Sequence, residues 1–447
     1  MSTNTTIAPQ VNGAGFSSPR HTPAAGKAVL QLLQGLQTGS LTLELPDRSH
    51  RQFGSTAEGA QGHKAHLRMK DWSVCASVLK SGDIGFGEAY ADGLWDSRDL
   101  VDLLRMLLAN RNTIERVVYG HWWGRLWYRV QHLLNHNSKA NSQRNIHAHY
   151  DLGNAFYTLW LDETMNYSSA WFQTPEQSLP DAQRAKVERA LTLANVGPGD
   201  RVLEIGCGWG ALAEMGAQDF GAHVTGVTLS TEQLAYARQR LDRLGLLMDE
   251  SAGATDLAHR ESMGATPDAQ RESVGANNSG ATFRLQDYRD IKDESFDAIC
   301  SIEMVEAVGQ AYWPEYFNTV ARLLKPGARA CIQSIVIDDA LFDRYVSGTD
   351  FIQQYIFPGG CLPSPSRFKQ QAEKAGLEVI DTFEFGHDYA RTLKLWRERF
   401  LEQQEAVLAQ GFDQRFMRLW EFYLAYCEAA FWENNIDVVQ FTLRKPE

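Results

Sequence analysis

The segment over residues 201–210 constrains the fold of this 447-residue chain more than any other. It reads Arg201-Val-Leu-Glu-Ile-Gly-Cys-Gly-Trp-Gly210, an apolar run that leads into three glycines at alternate positions. The apolar run predicts a strand, and glycines between a strand and a helix let the backbone turn tightly and approach a ligand. The segment therefore predicts a βα turn in a parallel, helix-covered sheet, with a small-molecule site at its edge.

The residues on both sides of this turn alternate between strand and helix patterns. The alternation predicts an α/β fold in which residues 148–447 form a doubly wound, Rossmann-like domain. The predicted strands cover 201–205, 223–229, 281–285, 296–302, 328–337, 377–385 and 438–443, and the predicted helices cover 211–220, 231–244, 312–324 and a long stretch over 393–433.

The N-terminal part of the chain has a different pattern. Residues 1–26 are rich in Ser, Thr, Gly and Pro and predict a disordered tail. Residues 27–135 mix both patterns and predict a smaller α+β domain, and the polar residues 136–147 predict a linker. Within that domain we predict a helix over 28–36, strands over 40–45 and 72–79, and a helix over 100–108 capped by Asp99.

Residues 250–277 interrupt the alternation with an 11-residue repeat that begins Glu250-Ser-Ala-Gly-Ala-Thr. Three short copies rich in Gly, Ala and Ser bury too little surface to pack, so we expect an insertion in a surface loop.

Charge and composition exclude some partners and favour others. A net charge of −12 argues against nucleic acid. Residues 105–144, however, hold seven Lys or Arg against one Glu, interleaved with Trp and Tyr. This combination fits a membrane interface, which makes residues 27–135 a candidate lipid- or membrane-docking domain; an aromatic helix packed in the core is the alternative. The chain has no apolar run long enough to span a bilayer, and its six cysteines lack the spacing of a zinc site, so we expect no metal centre and a cytoplasmic protein.

The glycine spacing separates two classes of cofactor. Gly206, Gly208 and Gly210 depart from the dinucleotide fingerprint, and the second strand ends in Thr228-Leu-Ser230 without the acidic residue that a nicotinamide cofactor needs. Glu204 instead precedes the glycines. This combination resembles S-adenosylmethionine-dependent methyltransferases.

Further motifs make the resemblance closer. Residues 145–154, 161–168, 226–233, 285–290 and 355–363, the last reading Tyr355-Ile-Phe-Pro-Gly-Gly-Cys-Leu-Pro363, are similar to those of the cyclopropane-fatty-acyl-phospholipid synthase family, which is related to the mycolic acid cyclopropane synthases. The resemblance covers residues 80–447 apart from the repeat. It implies an enzyme that binds S-adenosylmethionine through Tyr167, Ser168, Glu204, Gly206, Cys207, Gly208, Gly210, Thr228, Leu229, Ser230, Gln233, Asp287 and Tyr288.

The resemblance also implies a reaction. Members of the family add a methylene group across a cis double bond of a phospholipid acyl chain, through a carbocation that a bound bicarbonate ion deprotonates. The implied catalytic residues are Glu306, Tyr389 and Cys427, and the implied bicarbonate ligands are Ser169, Glu306, Gln333, Ile335 (through its backbone) and Tyr389. Glu303 is a competing carboxylate that could face the sulfonium. We expect peripheral attachment to the inner membrane, an unsaturated bilayer as partner and a homodimer as the candidate assembly.

Three positions depart from the better-known branch of the family. Ser169 stands where a Cys is common, and Ala307 and Gln333 stand where His is common. These changes leave open a methylene- or methyl-branched product formed from the same cation, or an inactive lipid-binding homologue. An N-methyltransferase for a small amine, which is a neighbouring activity, is a further alternative. The expected walls of an acyl-chain tunnel are residues 342–345, 351–357 and 416–432.

Overall fold

The computed structural model describes residues 22–54, 62–118, 152–249, 279–292 and 295–447. The N-terminal part contains a sheet with strand order β2-β1-β3-β4 and the helices that cover it. Its elements are α1 (Ala24–Leu33), β1 (Ser40–Glu44), β2 (His50–Gly54), β3 (Lys64–Met69), α2 (Ser73–Ala91), β4 (Trp95–Asp96), α3 (Leu100–Ala109) and α4 (Arg111–Val118).

The C-terminal part is built on a second sheet. Its strands are β5 (Arg201–Ile205), β6 (His223–Thr228), β7 (Gly280–Leu285), β8 (Phe296–Ile302), β9 (Leu324–Ile337), β10 (Glu378–Glu384) and β11 (Ile436–Arg444). The strand order is β10-β11-β9-β8-β5-β6-β7, with β5 to β9 parallel and β11 antiparallel to both β9 and β10. Because the chain runs from β5 towards β7 and then crosses back to β8, the carboxyl ends of β5 and β8 meet where the strand order reverses. Open α/β sheets bind ligands at this point.

Helices cover both faces of this sheet, and the α/β fold class with a smaller N-terminal α+β part is confirmed. The helices are α5 (Asn154–Trp160), α6 (Leu179–Leu193), α7 (Ala211–Gln218), α8 (Thr231–Arg243), α9 (Trp313–Leu323), α10 (Asp339–Tyr345), α11 (Phe351–Tyr355), α12 (Pro365–Lys374), α13 (Gly386–Glu402), α14 (Gln404–Ala409) and α15 (Gln414–Trp432).

The two parts share one hydrophobic core. Leu103 and Met106 of α3 belong to the same buried cluster as Phe422 of α15. The fully buried Trp95 stacks on Phe86 with ring centroids 4.1 Å apart and meets Phe422 edge-on. Aromatic contacts of this kind add to the stabilisation that buried apolar area provides. The N-terminal part therefore packs directly on the helix that the sequence proposed as a tunnel wall.

Three predictions of local structure are wrong. The strand predicted over 72–79 is the first half of α2, because a short apolar run fits a buried helix as well as a strand. Ordered structure begins before residue 27, since α1 starts at Ala24. The helical stretch predicted over 393–433 starts earlier and is three helices: Gly411, with φ +97°, ends one segment, and Asp413 caps α15 by accepting a hydrogen bond from the Phe416 N–H.

Other local predictions are confirmed, and some lie outside the described residues. Asp99 caps α3 by accepting a hydrogen bond from the Asp102 N–H at 2.9 Å, and β5 and β8 have the predicted bounds. The tail up to residue 21, the linker at 136–147 and the repeat at 250–277 lie outside the described residues, so the domain boundaries stay predictions. Within the described ranges, no helix has both the length and the apolar character needed to cross a bilayer.

Candidate active site

The glycine-rich turn after β5 brings backbone to the carboxyl end of the sheet. Gly206, Gly208 and Gly210 all have positive φ angles, of +84°, +50° and +85°, which side chains disfavour. A Cβ atom on Gly206 would lie 2.9 Å from Cγ of Met304, the second residue after β8. The glycines are therefore required both by the turn and by its close approach to the neighbouring strand end.

A cavity of about 170 Å³ lies against this turn. Every residue predicted to contact the cofactor lines it, except Gly210 and Ser230. Gly210 is the N-cap of α7, and Ser230 caps α8 by accepting a hydrogen bond from the Gln233 N–H. These two residues therefore stabilise the turns around the cavity without lining it. We name this cavity of about 170 Å³ the cofactor cavity.

Glu204 gives the cofactor cavity a polar group in need of a partner. Its carboxyl is buried, and Oε2 has no hydrogen-bond partner among the described residues. Burial raises the pKa of Glu204 well above its ordinary value, while the nearby Lys186 ammonium opposes that shift. A buried acceptor of this kind fits a cofactor that carries positive charge, as S-adenosylmethionine does.

Asp287 lines the cavity on its opposite side, but its carboxylate already has a partner. Arg289 donates from Nε to Oδ1 at 2.8 Å and from Nη2 to Oδ2 at 2.5 Å. This bidentate pair fixes the carboxylate and the loop after β7. Tyr288 packs edge-on against Tyr316, with ring centroids 5.5 Å apart. The predicted contact of Asp287 and Tyr288 with the adenine stays a prediction.

Glu303 directly follows β8 and is the centre of the densest polar cluster at this edge. Its Oε1 accepts hydrogen bonds from the Ser169 N–H at 2.9 Å and from Gln333 Nε2 at 2.7 Å. Its Oε2 accepts one from the Tyr389 hydroxyl at 2.7 Å. Burial raises the pKa of Glu303, and the ammonium of Lys186 and the three donors oppose that shift. The structure thus gathers Ser169, Gln333 and Tyr389 around a carboxylate of the chain itself.

Lys186 supplies a positive charge behind this cluster. It lies on α6, is fully buried, and its Nζ donates to Ser168 Oγ at 2.5 Å. Burial lowers its pKa to about 8, although Glu303, Asp162 and Glu204 all favour the charged form. No role for Lys186 was predicted from the sequence. The only signal was a lysine on an otherwise ordinary amphipathic helix, and such residues usually lie at the surface.

Glu306, which the family resemblance placed at the centre of the reaction, lies one turn further along the chain. Its Oε1 accepts a hydrogen bond from the Ile335 N–H, and Oε2 has no hydrogen-bond partner among the described residues. Burial, together with the negative charge of Glu303, raises the pKa of Glu306 to about 8. Glu306 therefore holds its proton to a higher pH than an ordinary glutamate, whereas the Lys186 ammonium beside Glu303 opposes the same shift there.

A second, larger cavity of about 510 Å³ extends away from this edge, within the usual range of ligand pockets of about 300–1,000 Å³. Aliphatic side chains of the N-terminal part form much of its wall, which the sequence reasoning did not foresee. The predicted tunnel walls contribute Tyr345, Ile352, Phe357 and Phe422 among others. We name this second cavity the apolar cavity. Its N-terminal wall residues include Val29, Leu30, Leu33, Leu41, Leu43, Val74, Val78, Leu103, Leu104 and Leu107.

Two further residues with predicted catalytic roles border the apolar cavity. Tyr389 lies on α13, between the strand predicted over 377–385 and the helical stretch predicted over 393–433, and its ring packs 4.5 Å from that of Phe431. Cys427 is half-buried on α15, and burial raises the pKa of its thiol. A thiol with a raised pKa is a poor nucleophile at neutral pH, so its position favours a role in the wall.

The two cavities meet at three residues, because Tyr167, Glu303 and Ala307 line both. The Tyr167 hydroxyl lies 2.7 Å from that of Tyr423, which joins the cofactor side to α15. Cofactor bound against the glycine turn and an apolar molecule in the larger cavity would therefore face each other across the Glu303 carboxylate.

Bicarbonate fits this arrangement poorly. Three of the groups predicted to bind it, on Ser169, Gln333 and Tyr389, donate to Glu303, and the fourth, the Ile335 N–H, donates to Glu306. An anion placed among them would also face the carboxyl groups of Glu303 and Glu306. We derive no step through bicarbonate.

Comparison with known proteins agrees with this geometry. The sequence profile of the mycolic acid cyclopropane synthetase family matches residues 137–261 and 266–441. The chain is 37% identical to tuberculostearic acid methyltransferase UfaA1 of Mycobacterium tuberculosis, over 87% of this chain and 85% of that relative. It is 33% identical to cyclopropane-fatty-acyl-phospholipid synthase of Escherichia coli, over 84% of this chain and 87% of that relative.

A solved structure extends the comparison to the fold. The crystal structure of mycolic acid cyclopropane synthase CmaA1, complexed with SAH and CTAB, covers 68% of this chain and is itself covered to 98%, with a TM-score of 0.57 and 28% identity.

Proposed function

Because the chain belongs to the mycolic acid cyclopropane synthetase family and is an S-adenosylmethionine-dependent methyltransferase, we propose that it alkylates a cis double bond in a phospholipid acyl chain. The observation that carries the proposal is the meeting of the cofactor cavity and the larger apolar cavity at Tyr167, Glu303 and Ala307. The cofactor supplies an electrophilic methyl group.

The chemistry of the substrate explains why the second cavity is apolar. An isolated alkene is a weak nucleophile, so the protein has to align it with the methyl group and keep water away from the cation that forms. A wall built from aliphatic residues of α1, β1 and α3 excludes water along the chain. A small amine needs no apolar cavity of about 510 Å³, and its ammonium would be poorly solvated there.

The proposed product is a cyclopropane ring, with a methylene- or methyl-branched chain as the alternative that the sequence left open. One relative is a tuberculostearic acid methyltransferase and another is a cyclopropane-fatty-acyl-phospholipid synthase. Both names support alkylation of a lipid chain, but they suggest different products. The product depends on which C–H bond loses its proton after methyl transfer, and hydrogenation of the product distinguishes the ring from a new alkene.

The test is mass spectrometry of acyl chains after incubation of the protein with S-adenosylmethionine and vesicles of a cis-unsaturated phospholipid. We expect the chains to gain one CH₂ unit, and vesicles of a fully saturated phospholipid to gain none. No gain in the unsaturated chains, although calorimetry shows bound cofactor, would contradict the proposal.

We further propose that the enzyme works at a bilayer surface, on the basis of the cationic and aromatic residues over 105–144. Of these, Arg105 donates to Glu433 at 2.8 Å, so it is an ion pair within the fold; residues 119–144 lie outside the described residues. Co-sedimentation with anionic vesicles, compared with zwitterionic ones, tests this binding. The homodimer and attachment to the inner membrane stay predictions.

A further inference from the structure

We propose that the carboxylate of Glu303 is the base that deprotonates the alkylated chain, in the place where the family resemblance implied a bicarbonate ion. The inference rests on the proposed alkylation of an alkene. It assigns the proton-accepting step to a residue of this chain, so the reaction needs no added anion.

The hydrogen bonds of Glu303 identify it as a held carboxylate. Its three donors are the backbone N–H of Ser169, the Gln333 amide and the Tyr389 hydroxyl, all at 2.7–2.9 Å. A carboxylate has about four acceptor positions, so three donors leave one, on Oε2 beside the Tyr389 bond, to receive a proton. Since Glu303 lines both cavities, that position lies where methyl group and alkene would meet.

A chain of hydrogen bonds fixes the orientation of the Gln333 amide. Arg189 donates to Gln440 Oε1 at 2.7 Å, and Gln440 Nε2 donates to Gln333 Oε1 at 3.0 Å. The oxygen of Gln333 therefore faces Gln440, and its nitrogen is left to donate to Glu303. Arg189 and Gln440 act through Gln333 and are positioning residues.

The backbone at Glu303 is strained in a way that suits a functional residue. Its φ angle is +51°, a left-handed conformation that glycine adopts readily and glutamate rarely. The pairing of β8 with β9 holds it there, because the Glu303 N–H donates to the Gln333 carbonyl at 2.8 Å. A glycine at this position would relieve the strain but would carry no carboxylate. The strained conformation of Glu303 places its carboxylate between the two cavities.

The ammonium of Lys186 favours the ionised form of Glu303. Lys186 is buried on α6, and its charge opposes the rise in the pKa of Glu303 that burial causes. The Glu303 carboxylate is next to the position of the cation that forms after methyl transfer, which a negative charge stabilises.

The proposed step balances as follows. The alkene π electrons form a bond to the methyl carbon while the S–CH₃ bond breaks, which releases neutral S-adenosylhomocysteine and leaves a cation on the other alkene carbon. Glu303 then accepts a proton from the new methyl group, and the electrons of that C–H bond close the ring. If Glu303 instead accepts a proton from a neighbouring chain carbon, the electrons of that carbon's C–H bond form a double bond to the cationic carbon.

The first test compares Glu303→Gln with two matched variants, Glu306→Gln and the exposed Glu398→Gln on α13. Glutamine keeps the size of the side chain but cannot accept a proton, so we expect Glu303→Gln to lower turnover by at least about a hundredfold, as the loss of a general base does. S-adenosylmethionine affinity, measured by calorimetry, should stay within about threefold. The loss of turnover in Glu306→Gln should be at least about tenfold smaller than the loss in Glu303→Gln, and the turnover of Glu398→Gln should match that of the wild type.

The second test separates a base from a structural residue. Wild-type turnover in carbon-dioxide-depleted buffer should not rise when bicarbonate is added. Glu303→Gly suits the positive φ and leaves its three donors without a carboxylate, so bicarbonate or formate should restore its turnover by at least about tenfold.

Each result bears on a separate claim. A Glu303→Gln variant with more than about a tenth of wild-type turnover, or a wild type that depends on bicarbonate, would overturn the role of Glu303. A wild type that alkylates no acyl chain at all would overturn the proposed function instead.

Discussion

The cofactor cavity and the apolar cavity meet at one carboxylate, yet they are built in different ways. The cofactor cavity is lined by short contiguous segments at the ends of β5, β6, β7 and β8. The apolar cavity takes single residues from elements as far apart in the chain as Leu30 on α1 and Ala430 on α15. The first depends on backbone conformation at a few glycines, and the second depends on packing between the two parts of the molecule.

This difference predicts that the two cavities respond to different substitutions. Backbone changes at the glycine turn should remove cofactor binding without affecting lipid binding, and changes of side-chain volume in the apolar cavity should do the reverse. If both properties changed together in every variant, the two cavities would form one cooperative unit, and the comparison would fail.

The largest effect is expected for Gly206→Val. The new side chain would meet Met304 at a position with φ +84°, where a β-branched residue is strongly disfavoured. We expect S-adenosylmethionine affinity, measured by calorimetry, to fall by at least about a hundredfold. Binding of a fluorescent fatty acid should be retained, and loss of both activities in a folded variant would count against separate cavities.

A smaller effect is expected for Ala430→Leu, which fills part of the apolar cavity. The added carbons would shorten the space for the chain, so we expect about tenfold lower turnover on long acyl chains and a shifted preference towards shorter ones. Ala409→Leu, at an exposed position of α14, is the matched control. Unchanged chain-length preference with altered cofactor affinity would contradict the assignment of this cavity to the chain.

The pH dependence tests the carboxylate at the junction. Glu303 faces Lys186 from α6, Tyr389 from α13 and Glu306 from the turn after β8, and burial raises its pKa. A base is active when ionised, so turnover should fall as the pH drops through the pKa of Glu303. This fall should occur at a pH above about 4.3, the usual pKa of glutamate. In Glu306→Gln the acid limb should stay in place, because Glu306 is already neutral there. Turnover that stays constant down to the ordinary range would contradict a Glu303 base.

The smallest effect is expected for Cys427→Ala. Burial raises the pKa of this thiol, and it contributes one side chain to the wall of the apolar cavity. Turnover should fall by less than about threefold. A loss comparable to that of Glu303→Gln would restore the catalytic role that the family resemblance implied for Cys427.

The sequence predicted the glycine turn and the family because their determinants are contiguous. The strand and glycine spacing over 201–210 indicated the turn, and the ordered motifs indicated the family, which the comparisons confirm. The apolar cavity was only partly predictable, because Leu30 and Leu104 look like any core residues until the fold brings them together. For the same reason Lys186 and the central position of Glu303 were missed: each depends on which side chains face it from remote elements.

The most direct test of the account is to locate the transferred carbon. The protein would be incubated with S-adenosylmethionine carrying a ¹³C methyl group and vesicles of an unsaturated phosphatidylethanolamine, and the lipid would be examined by NMR. We predict that the label is bonded to the former double-bond carbons of the acyl chain. Label on the headgroup nitrogen, or none in the lipid despite bound cofactor, would contradict the account.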